Sequence, residues 1–467
     1  MEKDETKFTI LMFPWLAYSH VFPFFELAKS LSKRRTFHIY FCSSAANLGS
    51  IENNLNNHKL RCNDDDDVSI DLVELQLPPS PQLPPHFHTT KNLPPNLVPI
   101  LLQTFQESSS SFSRILIDLK PDLLIYDFFQ PWAAKQALSL SIPSIYFATA
   151  GAAPFSYFHH LHTHGSASTF PYQEIYLSDR EKADLNAVVA PEIKDADQDF
   201  AFGNFKLSCD IVLIKSSKGL EQKYIDYLSV LCRKKVVPTG PLVQESNIKD
   251  DDDDESEVIM QWLSEKDRFS TVLICFGSEH LLPKEQIVEI AKGLEQCCTN
   301  FIWIVRFIMD ENALRLEDEL PEGFLERVEG RGLVVQKWAP QAKILSHPSI
   351  GGFVSHCGWS SIMESLYFGV PIIALPIKFD QPINGRLVVE AGCGVEIGRG
   401  ENGICSAEEV AKAIKKVIME DSGEGLIRYN ARNLGEKMKT EKEIAANEVA
   451  EELLLICKKS KQHADKI

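Results

Sequence analysis

The chain is predicted to fold as two consecutive doubly wound α/β domains. Three observations predict this: apolar runs of strand length alternate with helical patterns, the same alternation restarts near Ser270, and an acidic run separates the two series. Runs that are apolar at nearly every position suit strands of a parallel sheet buried on both faces. A length of 467 residues is also too great for one ordinary domain and fits two large ones.

In the first series "FTILMFP" reads as a strand, "FFELAKSLSKR" as an amphipathic helix and "HIYFCSS" as the next strand. "PDLLIYD", a helix from Pro131 and "IPSIYFAT" continue the alternation. The second series runs "STVLICFGS", the helix "PKEQIVEIAKGLEQC", then the strands "NFIWIVR" and "GLVVQKW". It closes with "IGGFVSH", a helix near Trp359, "VPIIALP" and the helical "INGRLVVEAG". Between the series, "VQESNIKDDDDDESEV" reads as a solvated linker, and the "NDDDD" run from Asn63 as a loop; neither has calcium-loop spacing. The expected organisation is an N-terminal acceptor domain over 1–243, an acidic linker over 244–258, a donor domain over 259–440, and a helix over 441–467 returning to the first domain.

A net charge of −17 argues against nucleic-acid or anionic-membrane surfaces, which need basic stripes. No stretch approaches a membrane span, and "MEKDETKFTILMFPW" is too short in its apolar part for a signal peptide. The 11 cysteines lack CxxC spacing, so free thiols and a cytoplasmic location are expected.

Polar residues gather where apolar elements begin and end. In "SHCGWSSIMESLYFGVPIIALPIKFDQ" a helix starts at Trp359 almost directly after a strand. Such a start offers unpaired N–H groups and a partial positive charge, which suit a phosphate. Gly358 would admit a diphosphate to the backbone and His356 would add a donor. The competing reading of "SIME" is a capping box made by Ser361 and Glu364 for their own helix end.

The segment "WAPQAKILSHPSIGGFVSHCGWSSIMESLYFGVPIIALPIKFDQ" resembles the signature box of plant secondary-product UDP-glycosyltransferases. "HVFP", "IYDFFQPW" and "FGSE" extend the resemblance over nearly the whole chain. "FPWLAYSH", "YDFFQPW" and "FGSE" are most similar to the branch-forming group that adds sugar to the sugar of a glycoside.

The resemblance implies the GT-B architecture, with two Rossmann-like domains facing across a cleft. It implies that Trp338 stacks on uracil, that the Ala339 backbone and Gln341 bond its edge, and that Glu364 holds the ribose. Ser278, His356, Ser360, Ser361 and the helix-start amides at Gly358 and Trp359 would contact the diphosphate. Asp380 and Gln381 would bind the donor sugar, where carboxylate and amide can act as acceptor and donor to neighbouring hydroxyls. Gln381 points to glucose over galactose, and Thr149 matches a position that touches the donor sugar. The bland readings are core packing for Trp338 and a solvated loop acid for Asp380. Two positions depart from the family pattern: Ser360 stands where Asn is usual, and Ser19 where Gly precedes the first-domain His.

His20 and Asp127 each follow a first-domain strand. The resemblance makes His20 the base that deprotonates the acceptor hydroxyl and Asp127 its partner, in an inverting transfer. The alternative for His20 is helix capping or packing. No cofactor or metal is implied; the spacing of His159, His160, His162 and His164 matches no zinc motif. The partners implied are a UDP-sugar and a small glycoside or aglycone, bound by a monomer. The competing functions are a nucleotide-dependent oxidoreductase, for which no GxGxxG follows either first strand, and a non-catalytic sugar-nucleotide binder.

Overall fold

The computed structural model describes residues 7–59, 69–165, 168–188, 202–244, 254–277, 282–305, 316–336, 339–420 and 425–464. The "NDDDD" run and most of the acidic linker fall outside them. The chain divides into two compact units: unit 1 comprises 1–168, 187–242 and 440–467, and unit 2 comprises 169–186 and 243–439. The division departs from the expected contiguous domains at 169–186, which group with the second unit. The helix Asp254–Ser264 takes up the end of the expected linker.

Unit 1 holds a seven-stranded sheet of β1 (Phe8–Phe13), β2 (Phe37–Ser43), β3 (Ile70–Glu74), β4 (Leu123–Tyr126), β5 (Ser144–Ala148), β6 (Ile211–Ile214) and β7 (Lys235–Pro238). Their order is β3-β2-β1-β4-β5-β6-β7, and every pairing is parallel. β1 pairs Ile10 with Ile39 on one side and with Leu123 on the other. Helices α1 (Tyr18–Ser32), α2 (Ala152–His164) and α3 (Lys218–Cys232) follow β1, β5 and β6.

Strand burial explains the sequence pattern. Ile10, Met12, Ile39, Phe41 and Ile125 enter one core cluster with Phe24, Leu27 and Leu31 of α1. On the intervening register Phe13 stacks on Phe112, with centroids 4.2 Å apart, and meets Trp132 edge-on. Both faces are covered, so neither set of alternate residues can be polar.

Unit 2 repeats the logic with β8 (Thr271–Cys275), β9 (Asn300–Ile304), β10 (Gly332–Val335), β11 (Ile350–Ser355), β12 (Ile372–Ala374) and β13 (Gly394–Glu396). The order is β10-β9-β8-β11-β12-β13, again all parallel. Val272 and Ile274 pack into one cluster, Leu273 and Cys275 into another, so the period-2 alternation separates the two faces of one sheet. Its helices include α4 (Lys284–Cys297), α5 (Trp359–Tyr367) and α6 (Gln381–Glu390).

The last helix, α7 (Leu426–Ala464), changes unit along its length: residues from Thr440 onward group with unit 1. There Val449, Ala450, Leu453, Ile456 and Cys457 join the β1–β2–β4 core cluster. Among the described residues no helix is long and apolar enough to cross a membrane, and the ten described cysteines are free.

Candidate active site

In a doubly wound sheet the strand order reverses at one point, and loops leaving the strand ends there diverge to leave a crevice. In unit 1 that point lies between β1 and β4. His20 is the third residue of α1, the helix that follows β1, and Asp127 directly follows β4. His20 Nδ1 lies 2.8 Å from Asp127 Oδ2 and 3.0 Å from Thr149 Oγ1, beyond the end of β5. The Asp127 side chain is fully buried and that of His20 is 21% exposed.

Two backbone amides fix the carboxylate: Trp15 N–H donates to Oδ2 at 3.0 Å and Phe128 N–H to Oδ1 at 2.7 Å. With Nδ1 facing this carboxylate, the Nδ1–H tautomer of His20 satisfies the contact and leaves the basic lone pair on Nε2. The packing alternative for His20 does not account for a carboxylate buried and oriented in this way. Phe129 borders the ring edge-on, its centroid 5.8 Å away.

In unit 2 the reversal lies between β8 and β11. β11 leads through His356, Cys357 and Gly358 into α5. Gly358 is the N-cap and the helix begins at Trp359, so Ser361 lies inside the first turn and not at the cap position that a capping box with Glu364 needs. Gln341 instead donates from Nε2 to Glu364 Oε2 at 2.7 Å and to Ser361 Oγ at 3.2 Å. Glu364 is thus aligned by a neighbouring helix rather than by its own.

His356 is buried against two glycines. A Cβ at Gly358 would sit 2.4 Å from its Nε2, and one at Gly277, whose φ is +77°, would sit 2.9 Å away. Burial, then the charge of Lys378, pushes His356 down to about 4, against a bond to the Cys275 carbonyl. At neutral pH it is therefore an uncharged imidazole, able to donate one N–H. Cys357 adopts φ +63°, a left-handed conformation costly for a residue with a Cβ, immediately before α5.

The same device precedes α6, where Phe379 has φ +57°. Asp380 is the N-cap of α6 without capping it, and its Oδ2 accepts from Asn384 Nδ2 at 2.9 Å. Gln381 Oε1 accepts from the amides of Ile377 and Lys378, both at 3.0 Å. These bonds fix the Gln381 side chain against its own loop.

Ser278 and Trp338 lie outside the described residues. Ala339, next to Trp338, is buried, as is Trp359; Ser360 is half-buried at the start of α5. The four clustered histidines make ordinary local contacts: His159 Nδ1 is 3.0 Å from Thr163 Oγ1, and His160 Nδ1 is 2.6 Å from the Tyr227 hydroxyl. Among the described residues no group of three or more His, Cys, Asp or Glu is arranged to hold a metal ion.

Residues 247–429 match the family model described as "UDP-glucoronosyl and UDP-glucosyl transferase". The chain is 50% identical over 456 residues to mogroside IIIx synthase of Siraitia grosvenorii, covering 96% of this chain and 98% of that one. It is 47% identical over 415 residues to the beta-D-glucosyl crocetin beta-1,6-glucosyltransferase of Gardenia jasminoides, covering 88% and 91%. Among solved structures it superposes on a Glycyrrhiza uralensis UDP-glycosyltransferase complexed with glycyrrhetinic acid 3-O-monoglucuronide, with a TM-score of 0.82, 23% identity, and 99% and 98% coverage.

The chain belongs to the plant UDP-glycosyltransferase family. It is a UDP-sugar-dependent transferase of GT-B architecture, built from two Rossmann-like units, and its relatives include enzymes that extend the sugars of glycosides.

Several of the transferase's local features escaped the sequence reading. The Trp15 and Phe128 amides that hold Asp127 carry no side-chain signal at all. Asn384, which donates to Asp380 and to the Cys357 carbonyl at 3.1 Å, was visible only as a polar residue in the apolar helix "INGRLVV". Unit 2 of the transferase also contains a cavity of about 380 Å³, lined by Tyr176, Arg180, Glu181, Phe379, Arg386 and Arg399 among others.

Proposed function

We propose that the enzyme transfers glucose from UDP-glucose, with inversion, to a hydroxyl on the sugar of a small glycosylated natural product. The observation that carries this is the His20–Asp127 contact of 2.8 Å at the strand-order reversal of unit 1, with the carboxylate buried and amide-bonded. His20 Nε2 takes the proton from the acceptor hydroxyl as its oxygen attacks the anomeric carbon; the bond from that carbon to the UDP oxygen breaks on the opposite face. Asp127 holds the imidazole and offsets the imidazolium that forms.

In unit 2, Trp338 stacks on uracil, Ala339 and Gln341 bond its edge, and Glu364, aligned by Gln341, takes the ribose hydroxyls. His356, Ser278, Ser360, Ser361 and the amides at the start of α5 hold the diphosphate and stabilise the leaving UDP without a metal. Asp380 and Gln381 hold the sugar. The shorter hydroxyl at Ser360, in place of an amide, weakens one diphosphate contact. We place the enzyme in the cytoplasm as a monomer; its free described cysteines suit a reducing compartment.

The glucosylated acceptor is supported by the Gardenia relative, named for a glucosyl crocetin acceptor. The test is incubation with aglycones and their glucosides against UDP-glucose, UDP-xylose and UDP-rhamnose. Extension of glucosides with UDP-glucose is expected; turnover of aglycones alone would establish direct glucosylation instead. Replacing His20 with Ala should abolish transfer while UDP affinity stays within twofold of wild type, and retained turnover would remove His20 from the base role.

A further inference from the structure

Residues 169–186 form a strap that belongs to unit 2 although the chain on either side belongs to unit 1. Phe170, Ile175 and Leu177 of the strap are buried. Its end starts the helix Asp179–Val188 with a capping box: Glu181 N–H donates to Ser178 Oγ at 3.3 Å, and Ser178 N–H to Glu181 Oε2 at 2.7 Å. The same Glu181 accepts from Arg386 Nη2 through both oxygens, at 3.0 and 2.9 Å. Tyr176 covers the guanidinium, its ring centroid 4.2 Å away, and Arg180 Nη1 donates to the Glu401 carbonyl at 2.8 Å.

Arg386 is the sixth residue of α6 and is only 9% exposed. Gln381 is the first residue of the same helix and Asp380 its N-cap, so the clamp lies about 7.5 Å along the axis from the proposed sugar-reading end. A helix translates as a rigid body within a close-packed interior, so a restraint at Arg386 is felt at Gln381. Burial works to raise the Glu181 carboxyl, yet the bonds from Arg386 and Ser178 hold it below its ordinary value, which marks the pair as ionised. A buried cation that loses its partner must move or recruit water.

We infer that Glu181, helped by Tyr176, is a positioning residue for donor-sugar recognition: its ion pair with Arg386 sets α6 and thereby the place of Asp380 and Gln381. This rests on the donor-sugar role proposed above for those two residues. UDP itself is held through α5 and the segment at Ala339, so the clamp acts on the sugar and not on the nucleotide.

Glu181→Gln isolates the effect, because Gln keeps the capping box and loses the charge. The KM for UDP-glucose is expected to rise about threefold to tenfold, the equivalent of one or two displaced hydrogen bonds, with the Kd for UDP unchanged within twofold. Exchanging the charges, Glu181→Arg with Arg386→Glu, should recover part of the loss. An unchanged KM in E181Q, or an equal weakening of UDP and UDP-glucose, overturns the inference. Gln381→Ala is measured in parallel: if it leaves the KM unaltered, the donor-sugar reading itself fails. Should E181Q not fold, Tyr176→Ala, at a residue 52% exposed, carries the same test with a smaller shift in the same direction.

Discussion

The His356 ring packs against two glycines, and this decides how the phosphate end of the site tolerates a side chain at either of them. Gly358 has an ordinary N-cap conformation, with φ −59° and ψ 136°, so alanine is allowed there by the backbone alone. The obstacle is the imidazole, 2.4 Å from the position of a new Cβ. Gly358→Ala should therefore displace the ring, weaken UDP binding about tenfold and cost about 1–3 kcal/mol of stability, as overpacking does. Titration calorimetry with UDP checks it, and affinity within twofold of wild type would show that the ring's place does not matter. At the same scale, Gly358 as a backbone opening was legible from spacing, whereas the capping box that spacing offered for Ser361 and Glu364 does not form. The steric role of the glycine and the use of Gln341 to align Glu364 were not legible, since both depend on a neighbour distant in sequence.

One helix of unit 1 is held at its start by a side chain from another. The start of α2 is capped by Glu221, a fully buried residue of α3 that accepts from the amides of Ala152 and Ala153 at 3.0 and 2.7 Å and from the Ser216 hydroxyl. Its own backbone breaks the helical pattern, with φ −123° and ψ 16°. Glu221→Ala should leave three donors unmet and destabilise unit 1 by about 1–3 kcal/mol, measured by thermal unfolding; a change below about 0.5 kcal/mol would mean that water replaces the carboxylate. Nothing in "SSKGLEQKY" singles out Glu221, because a capping acid is expected on the helix it caps. By contrast, strands β1, β2, β4, β5, β8, β9 and β11 were legible, since burial on both faces writes itself as an unbroken apolar run.

At the scale of the whole molecule, two buried groups, one in each unit, answer acid in opposite senses. Burial pushes Glu221 up to about 7, against three hydrogen bonds, whereas His356 is pushed down to about 4. Between roughly pH 4.5 and 7 folded unit 1 keeps a proton that its unfolded chain has released, so this group's contribution to stability falls as pH rises. Between roughly pH 6.5 and 4 unfolded unit 2 takes up a proton that folded His356 refuses, so its contribution is lost as pH falls, by on the order of 3 kcal/mol. Unfolding followed from pH 4.5 to 7 should therefore flatten in opposite directions in Glu221→Gln and His356→Asn; parallel profiles would contradict both assignments. The closing helix adds a mechanical dependence: Leu453, with no exposure, lies in the unit 1 core, and Leu453→Ala should cost about 2–5 kcal/mol there. Calorimetry that finds unit 1 unmoved would remove α7 from its core.

The sequence by itself determined the two-sheet α/β plan, the family, and which chain ends carry polar chemistry, because strand and helix periods and the signature box are local patterns. The His20–Asp127 contact across 107 residues was implied by the resemblance but by no segment's own pattern, and only the tertiary structure decided that Glu181 meets Arg386 across 205. Such pairs depend on the order in which parallel strands lie side by side and on where a strap docks, and neither is encoded in the period of any single segment.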